Sequence, residues 1–209
     1  MTEVAEIVER FVKLAEKKTG LTKAQMLEQW REPRVTEKQI GYEEKARTRG
    51  VPPVHIGAIA FAESCEALRA VHMFLQSPQI FLVLMGGPRT HKSGSAAWAV
   101  SRASSGIFIS ARDYIALAGS RRDEDQDRLY YLKRSDIFVL DDLGVEYMAN
   151  SGFVASEIDS LFQTRYDYRL KLIVTTNLDG KQLVERYGER VMDRVRRAGS
   201  FVGTGTEKL

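Results

Sequence analysis

Gly86-Gly-Pro-Arg-Thr-His-Lys-Ser93 stands between a continuous apolar run, Gln79 to Met85, and a stretch of small residues with helical character. A glycine-bearing turn between a buried strand and a helix start lets backbone N–H groups converge on an anion, as in a phosphate loop of the form G-x-x-x-x-G-K-[ST]. In that pattern Lys92 reaches the β- and γ-phosphates of ATP, Ser93 ligates Mg²⁺, and Gly86, Gly87, Pro88, Arg89, Thr90 and His91 supply the cradle. The glycine expected before the lysine is His91. Histidine brings a Cβ into a loop that favours unusual dihedrals, yet it is among the non-glycine residues enriched at positive φ, and Arg89 adds a fixed positive charge. The expectation is retained but weakened ATP binding that depends on Lys92, with slow hydrolysis. The alternative is an ordinary strand-to-helix turn with a solvated lysine.

Further along, Ile137-Phe-Val-Leu-Asp-Asp142 is an apolar strand ending in two carboxylates. Beside a phosphate loop this pair suits a Walker B element, with Asp141 on the Mg²⁺ shell and Asp142 orienting water; alone, it reads as a cap or turn. A third strand ends in Thr175-Thr-Asn177, which puts an amide at the carboxyl edge of the sheet, where open α/β folds bind ligands. Asn177 there would hold the attacking water or sense the γ-phosphate, or simply begin the turn that runs to Gly180. In Gly188-Glu-Arg-Val-Met-Asp-Arg194 the two arginines share one face of a helix. They are either solvated or salt-bridged, or one crosses to a neighbouring subunit's nucleotide.

Positioning these groups requires strands alternating with helices, which predicts a doubly wound parallel sheet. Strands are expected at Gln79–Met85, Gly106–Ser110, Ile137–Leu140 and Leu172–Thr175, and helices at about Ser93–Ser101, from Arg112, and at Val154–Tyr168. A long helix is expected from Ile56 to Leu75, and a charged loop around Arg121–Asp127. Upstream, Val4, Ile7, Phe11 and Leu14 recur at helical spacing, and a second helix fits Thr22–Arg31. Gly50-Val-Pro-Pro53 punctuates the chain, so residues 1–50 read as a small helical partner-binding segment and 51–209 as the ATP-binding domain.

The chain has 209 residues, 44% apolar and 28% charged, with a net charge of +3 that permits nucleic-acid contact without demanding it. Its single cysteine, Cys65, excludes a disulfide framework or cysteine-based metal site within one chain and reads as a buried small hydrophobe. No apolar run is long enough for a membrane span and the N-terminus lacks the order of a signal peptide, so a cytoplasmic location is expected. Between Arg112 and Arg134, Arg112, Tyr114, Arg121 and Arg122, followed by Tyr130, Tyr131, Lys133 and Arg134, mix stacking and phosphate-binding groups suited to single-stranded DNA, with acids interleaved.

The succession GGPRTHKS, IFVLDDLG, TTN and YGERVMDR resembles the DnaC/IstB family of AAA+ proteins over roughly residues 50 to 200, GERVMDR being especially similar to DnaC-type helicase loaders. ARTRGVPP resembles the family's entry into its ATPase domain. The resemblance implies an α/β P-loop AAA+ domain, with a parallel sheet flanked by helices, behind a small N-terminal helical domain. It further implies ATP and Mg²⁺ as cofactors, Asn177 as sensor 1, and Arg194 as the arginine finger, with Arg190 second in line. The partners implied are a replicative DNA helicase, single-stranded DNA and further copies of the chain on assembly. Arg89 and His91 depart from positions commonly glycine in the family, and no sensor 2 lid is evident. The competing functions are an IstB-type transposition helper with a transposase as partner, a small P-loop kinase, and a non-hydrolysing adaptor.

Overall fold

A computed structural model describes residues 37–61, 65–146 and 151–205. The chain divides into two compact units, residues 1–40 and 41–209, and the account below concerns the second. The expected helices around Phe11, Leu14, Met26 and Trp30 lie outside the described residues.

In chain order the elements are α1 (Glu37–Thr48), α2 (Pro53–Phe61), α3 (Glu66–Gln76), β1 (Phe81–Met85), α4 (Lys92–Arg102), β2 (Gly106–Ser110) and α5 (Ala111–Ala118). They continue as α6 (Asp123–Leu132), β3 (Ile137–Leu143), α7 (Ser151–Asp167), β4 (Lys171–Thr176), α8 (Gly180–Tyr187), α9 (Glu189–Ala198) and β5 (Gly199–Gly203). The sheet runs in the order β2-β3-β4-β1-β5, with every pairing parallel.

Period-two alternation explains why the strands read as unbroken apolar runs: both faces are covered. Phe81, Val83, Phe138, Leu140, Leu172 and Val174 enter a core shared with α5, α7, α8 and α9. Leu82, Leu84, Val139 and Ile173 enter a second core shared with α2, α3 and α4. The result is a three-layer α/β/α sandwich whose loops at the strand carboxyl ends are free to carry chemistry.

Arg49 joins the approach segment to this sandwich by donating to the carbonyls of Val100 (2.6 Å), Ala103 (2.9 Å) and Ser104 (2.8 Å). It thereby caps the otherwise orphaned carbonyls at the end of α4 with a cation, which also suits the helix dipole. Also at the amino edge of the sheet, the fully buried Arg165 donates to the carbonyls of Lys133 (3.2 Å), Ser135 (2.5 Å), Asp136 (3.2 Å) and Lys171. Burial lowers its pKa to about 9, and the carbonyl oxygens satisfy its two terminal nitrogens, while Nε has no partner among the described residues.

Three expectations need correction. The helix expected from Ile56 to Leu75 is two helices, α2 and α3, with Cys65 in an extended conformation as the N-cap of the second. The charged loop expected at Arg121–Asp127 is largely helix, because Asp123, Glu124 and Asp125 fill the first turn of α6, where acids favour a helix dipole. The edge strand β5 was not foreseen. Cys65 is buried as expected, with Sγ 3.5 Å from Ser95 Oγ.

Candidate functional site

Gly86 to His91 link the end of β1 to the first turn of α4 at the carboxyl edge of the sheet. The loop curls through left-handed backbone at Gly86 (φ 150°), Arg89 (φ 62°) and His91 (φ 60°). Thus histidine takes the conformation for which glycine was expected, and it is exposed, as is Arg89. A non-glycine residue there costs about 1–2 kcal/mol of backbone strain, partly offset in a glycine variant by the entropy that glycine loses on folding. His91→Gly should therefore raise stability by about 1 kcal/mol, or about 2–4 °C in Tm. A thermal melt that is unchanged or lowered would contradict the strain.

Lys92 is buried and folds back under the loop. Its Nζ donates to Gly86 O (2.8 Å), Gly87 O (2.7 Å), Thr90 Oγ1 (3.0 Å) and Asn177 Oδ1 (3.1 Å). An ammonium has only three hydrogens, so four acceptors at this range share them and the longest is the most readily given up. Burial lowers the Lys92 pKa, while Asp142 and Asp141 pull it back up. The cation thus lies beneath the cradle and between the ends of β1 and β4.

The two acids occupy different surroundings. Asp141 is buried and accepts a hydrogen bond from Thr175 Oγ1 (2.7 Å), while the Asp142 N–H donates to that same oxygen (2.9 Å). The β3–β4 register shifts between Leu140 and Leu143, and Asp142 has φ 55°. An irregularity of this kind re-aims a side chain, and Asp142 lines a cleft of about 350 Å³ together with His55, Pro88, Arg89, Thr90, His91, Lys92, Ser93 and Asn177. The threonines that precede Asn177 secure it: Thr176 Oγ1 donates to Leu143 O (2.6 Å) and accepts from Leu178 N (3.0 Å). The donors facing the cleft from Ser93 and Asp142 are hard oxygens, the class that Mg²⁺ takes in company with phosphates.

Partial burial, then the neighbouring Asp141, raises the Asp142 pKa; Lys92 and His55 oppose the shift. The folded chain therefore holds this proton more tightly than the unfolded chain, and stability falls as pH rises from the ordinary carboxylate range through the folded pKa. Asp142→Asn removes that loss and keeps a residue tolerant of positive φ. At neutral pH it should stabilise the fold by about 0.5–1 kcal/mol, with no gain at a pH low enough to protonate the acid. Equal melting temperatures at neutral pH would contradict the electrostatic cost.

Local patterning did not point to three contributors. His55, near the start of α2, packs at a tilt against Phe108 (5.9 Å between ring centroids) and lines the cleft. Glu146 is buried just after β3, accepting from Gly144 N (2.8 Å), Arg186 Nε (3.2 Å) and Tyr187 Oη. It thereby ties the loop beyond the acids to α8. Thr204, after β5, reaches the phosphate loop itself. All three are brought in by long-range packing.

The arginines of α9 separate. Arg194 is largely buried, donating to Asp159 Oδ1 of α7 (2.5 Å) and to Gln163 Oε1. Arg190 is exposed and has no ion-pair partner among the described residues.

The expected nucleic-acid segment is only partly a surface. Tyr114 cannot stack on a base, because it is fully buried in the core with its ring edge-on to Phe138. Arg122 is paired with Asp125 at 2.8 Å, and Lys133 with Glu157 at 3.1 Å. Arg112 and Arg121 are exposed. Tyr130, Tyr131 and Tyr168 are also exposed, with the Arg134 guanidinium 3.6 Å from the Tyr130 ring centroid and 5.0 Å from that of Tyr168.

No protein-family model and no curated protein sequence matches the chain. Solved structures do. The DnaC helicase loader superposes with a TM-score of 0.56 at 22% identity, over 78% of this chain and 98% of that one. The chain has the fold of these AAA+ P-loop domains. DnaI is similar at a TM-score of 0.54 and 21% identity, over 66% of this chain and 80% of its own. The replication initiator DnaA, in a structure bound to AMPPCP and single-stranded DNA, gives a TM-score of 0.59 at 18% identity, over 74% of this chain and 51% of its own. Of the sequence-predicted residues, Pro88–Ser93, Asp142 and Asn177 line one cleft, whereas Gly86, Gly87 and the buried Asp141 do not line it.

Proposed function

We propose that this AAA+ domain binds ATP in the cleft at the carboxyl edge of its sheet and serves as a helicase loader of the DnaC kind, with slow hydrolysis. The observation that carries the reading is Lys92, buried beneath a left-handed loop and bonded to Asn177, in a fold that matches the DnaC helicase loader over nearly all of that chain. An arriving phosphate replaces the weaker acceptors of Lys92 with charge-assisted bonds, which frees Asn177 to meet the γ-phosphate or a water. Ser93 at the cleft, with the buried Asp141 once it gives up Thr175, would hold Mg²⁺, which supplies charge neutralisation on the phosphates, and Asp142, which faces the cleft, would orient the attacking water. Because Lys92 and Asn177 must both exchange partners before water can be oriented, turnover is slow and the bound nucleotide acts as a timer.

Arg190, exposed where Arg194 is tied to α7, is the better placed to complete a neighbouring copy's site. Residues 1–50 hold the helicase, and Arg112 and Arg121 contact single-stranded DNA. A chain that loads a helicase under nucleotide control should capture the replicative helicase of its host differently with and without ATP. Equal capture in both states, or in Lys92→Ala, would identify a nucleotide-insensitive adaptor instead.

A further inference from the structure

We infer that Thr204, just beyond the edge strand β5, is the positioning residue of the phosphate loop, clamping it around Lys92. Thr204 is buried, far in sequence from every residue of the candidate site. Its N–H donates to Met85 O (2.6 Å), which extends the β1–β5 ladder to the first peptide of the loop. Its hydroxyl lies 2.9 Å from Thr90 Oγ1 and 3.0 Å from Met85 O.

The proton count orders this network. Thr90 Oγ1 donates to Gly87 O (3.0 Å) and accepts from Lys92 Nζ (3.0 Å), so its remaining acceptor site takes the Thr204 hydroxyl. Met85 O also accepts from the Thr204 N–H. A chain of contacts thus links the edge strand through two hydroxyls to the lysine. The packing is as specific as the bonding: a Cβ on Gly86 would lie 2.3 Å from Thr204 O and 2.6 Å from its Oγ1. Gly86 is thus required by the clamp as well as by its own positive φ.

The loop needs such a clamp. Arg89 and His91 both hold left-handed backbone without being glycine, a state that persists only where surrounding contacts over-determine it. Their own side chains are exposed, leaving Thr90, the buried residue between them, to hold the segment. Thr90 is held in turn by Thr204. The clamp itself rests on geometry, whereas its effect on ATP affinity rests on the proposed nucleotide reading.

Amide hydrogen exchange of the full-length, nucleotide-free chain tests the clamp, followed by ATP titration of the same proteins. Thr204→Val, which keeps the shape and loses the hydroxyl, should raise exchange across residues 86–92 by about tenfold, the scale of one lost buried hydrogen bond. Exchange in α7 should stay at the wild-type level. Thr204→Ser should keep the wild-type loop, and Thr90→Val, which breaks the same link from the other side, should reproduce the rise. In Thr204→Val, a second change His91→Gly should recover part of the protection, because a less strained loop needs less holding. Wild-type exchange in Thr204→Val, or a rise in Thr204→Ser as large as in Thr204→Val, would overturn the clamp. If the wild type binds ATP, Thr204→Val should bind it about tenfold more weakly. Because exchange requires no nucleotide, a wild type that fails to bind ATP would remove the nucleotide reading and leave the clamp to be judged by exchange alone.

Discussion

Arg190→Ala should leave the fold and the nucleotide affinity of an isolated subunit unchanged while abolishing ATP-dependent assembly and reducing turnover to background. Arg194→Ala should do something different. Arg190 is exposed and unpaired among the described residues, so truncating it should change stability by no more than about 0.5 kcal/mol. An arginine reaching a neighbour's γ-phosphate is worth about 10³–10⁵ in rate, so even a slow wild-type turnover should fall below detection. Arg194, by contrast, donates to Asp159 and Gln163 on α7 with only 13% of its side chain exposed. Its removal leaves a partly buried carboxylate without its cation and should cost about 1–3 kcal/mol of stability. Mixing Arg190→Ala with Asp142→Asn subunits gives a second check, since each supplies what the other lacks and some turnover should return if the arginine acts in trans. A monomer in every nucleotide state would exclude the role for both arginines.

The contrast between these arginines shows where sequence patterning stops. Residues at i and i+4 share a helix face, and on that basis Arg190 and Arg194 were indistinguishable in kind. What separates them is α7, which packs against the later turn of α9 and offers Asp159 and Gln163 there. A partner so distant in sequence leaves no local signature.

The same physics divides the rest of the fold. β1, β3 and β4 were legible because a strand buried on both faces must be apolar at every position, as in Phe81-Leu-Val-Leu84. β5 was not. Gly199-Ser-Phe-Val-Gly203 is a short, half-buried edge strand with glycine at both ends, and it is a strand because it pairs with β1. The run Asp123-Glu-Asp125 was read as a loop from its charge, although the first turn of a helix is where acids are favoured. Tyr114 was read as a stacking group from its type, but its place on the inward face of α5 decides its burial.

Within the candidate site, the contiguous motifs were legible because a phosphate loop and an acidic strand end are built from neighbouring residues. Pro88–Ser93, Asp142 and Asn177 meet at one cleft, while Asp141 is buried away from it. His55 reaches the cleft through helix docking, and Thr204 contacts the loop beside it through an edge strand, which no local pattern encodes. His91 departs from glycine at a position of left-handed backbone, so the departure is expressed there as strain.

The central claim is that Lys92 is the cation of a nucleotide site, and titration of ATP with Mg²⁺ into the full-length chain and into Lys92→Ala tests it most directly. Loop carbonyls and Asn177 hold Lys92 Nζ at the cleft. Hydrogen bonds to charged groups contribute about 1.5–3 kcal/mol each, and the lysine would make more than one with the phosphates. Its loss should weaken ATP by at least about 100-fold, since each 1.4 kcal/mol is tenfold. The truncated side chain leaves Gly86 O and Gly87 O to water, so the variant should remain folded, as its circular dichroism would verify. ATP should bind saturably at one site per chain in the wild type and not at the same concentrations in Lys92→Ala. Wild-type chain that binds no ATP, or binding that survives unchanged in Lys92→Ala, would contradict it.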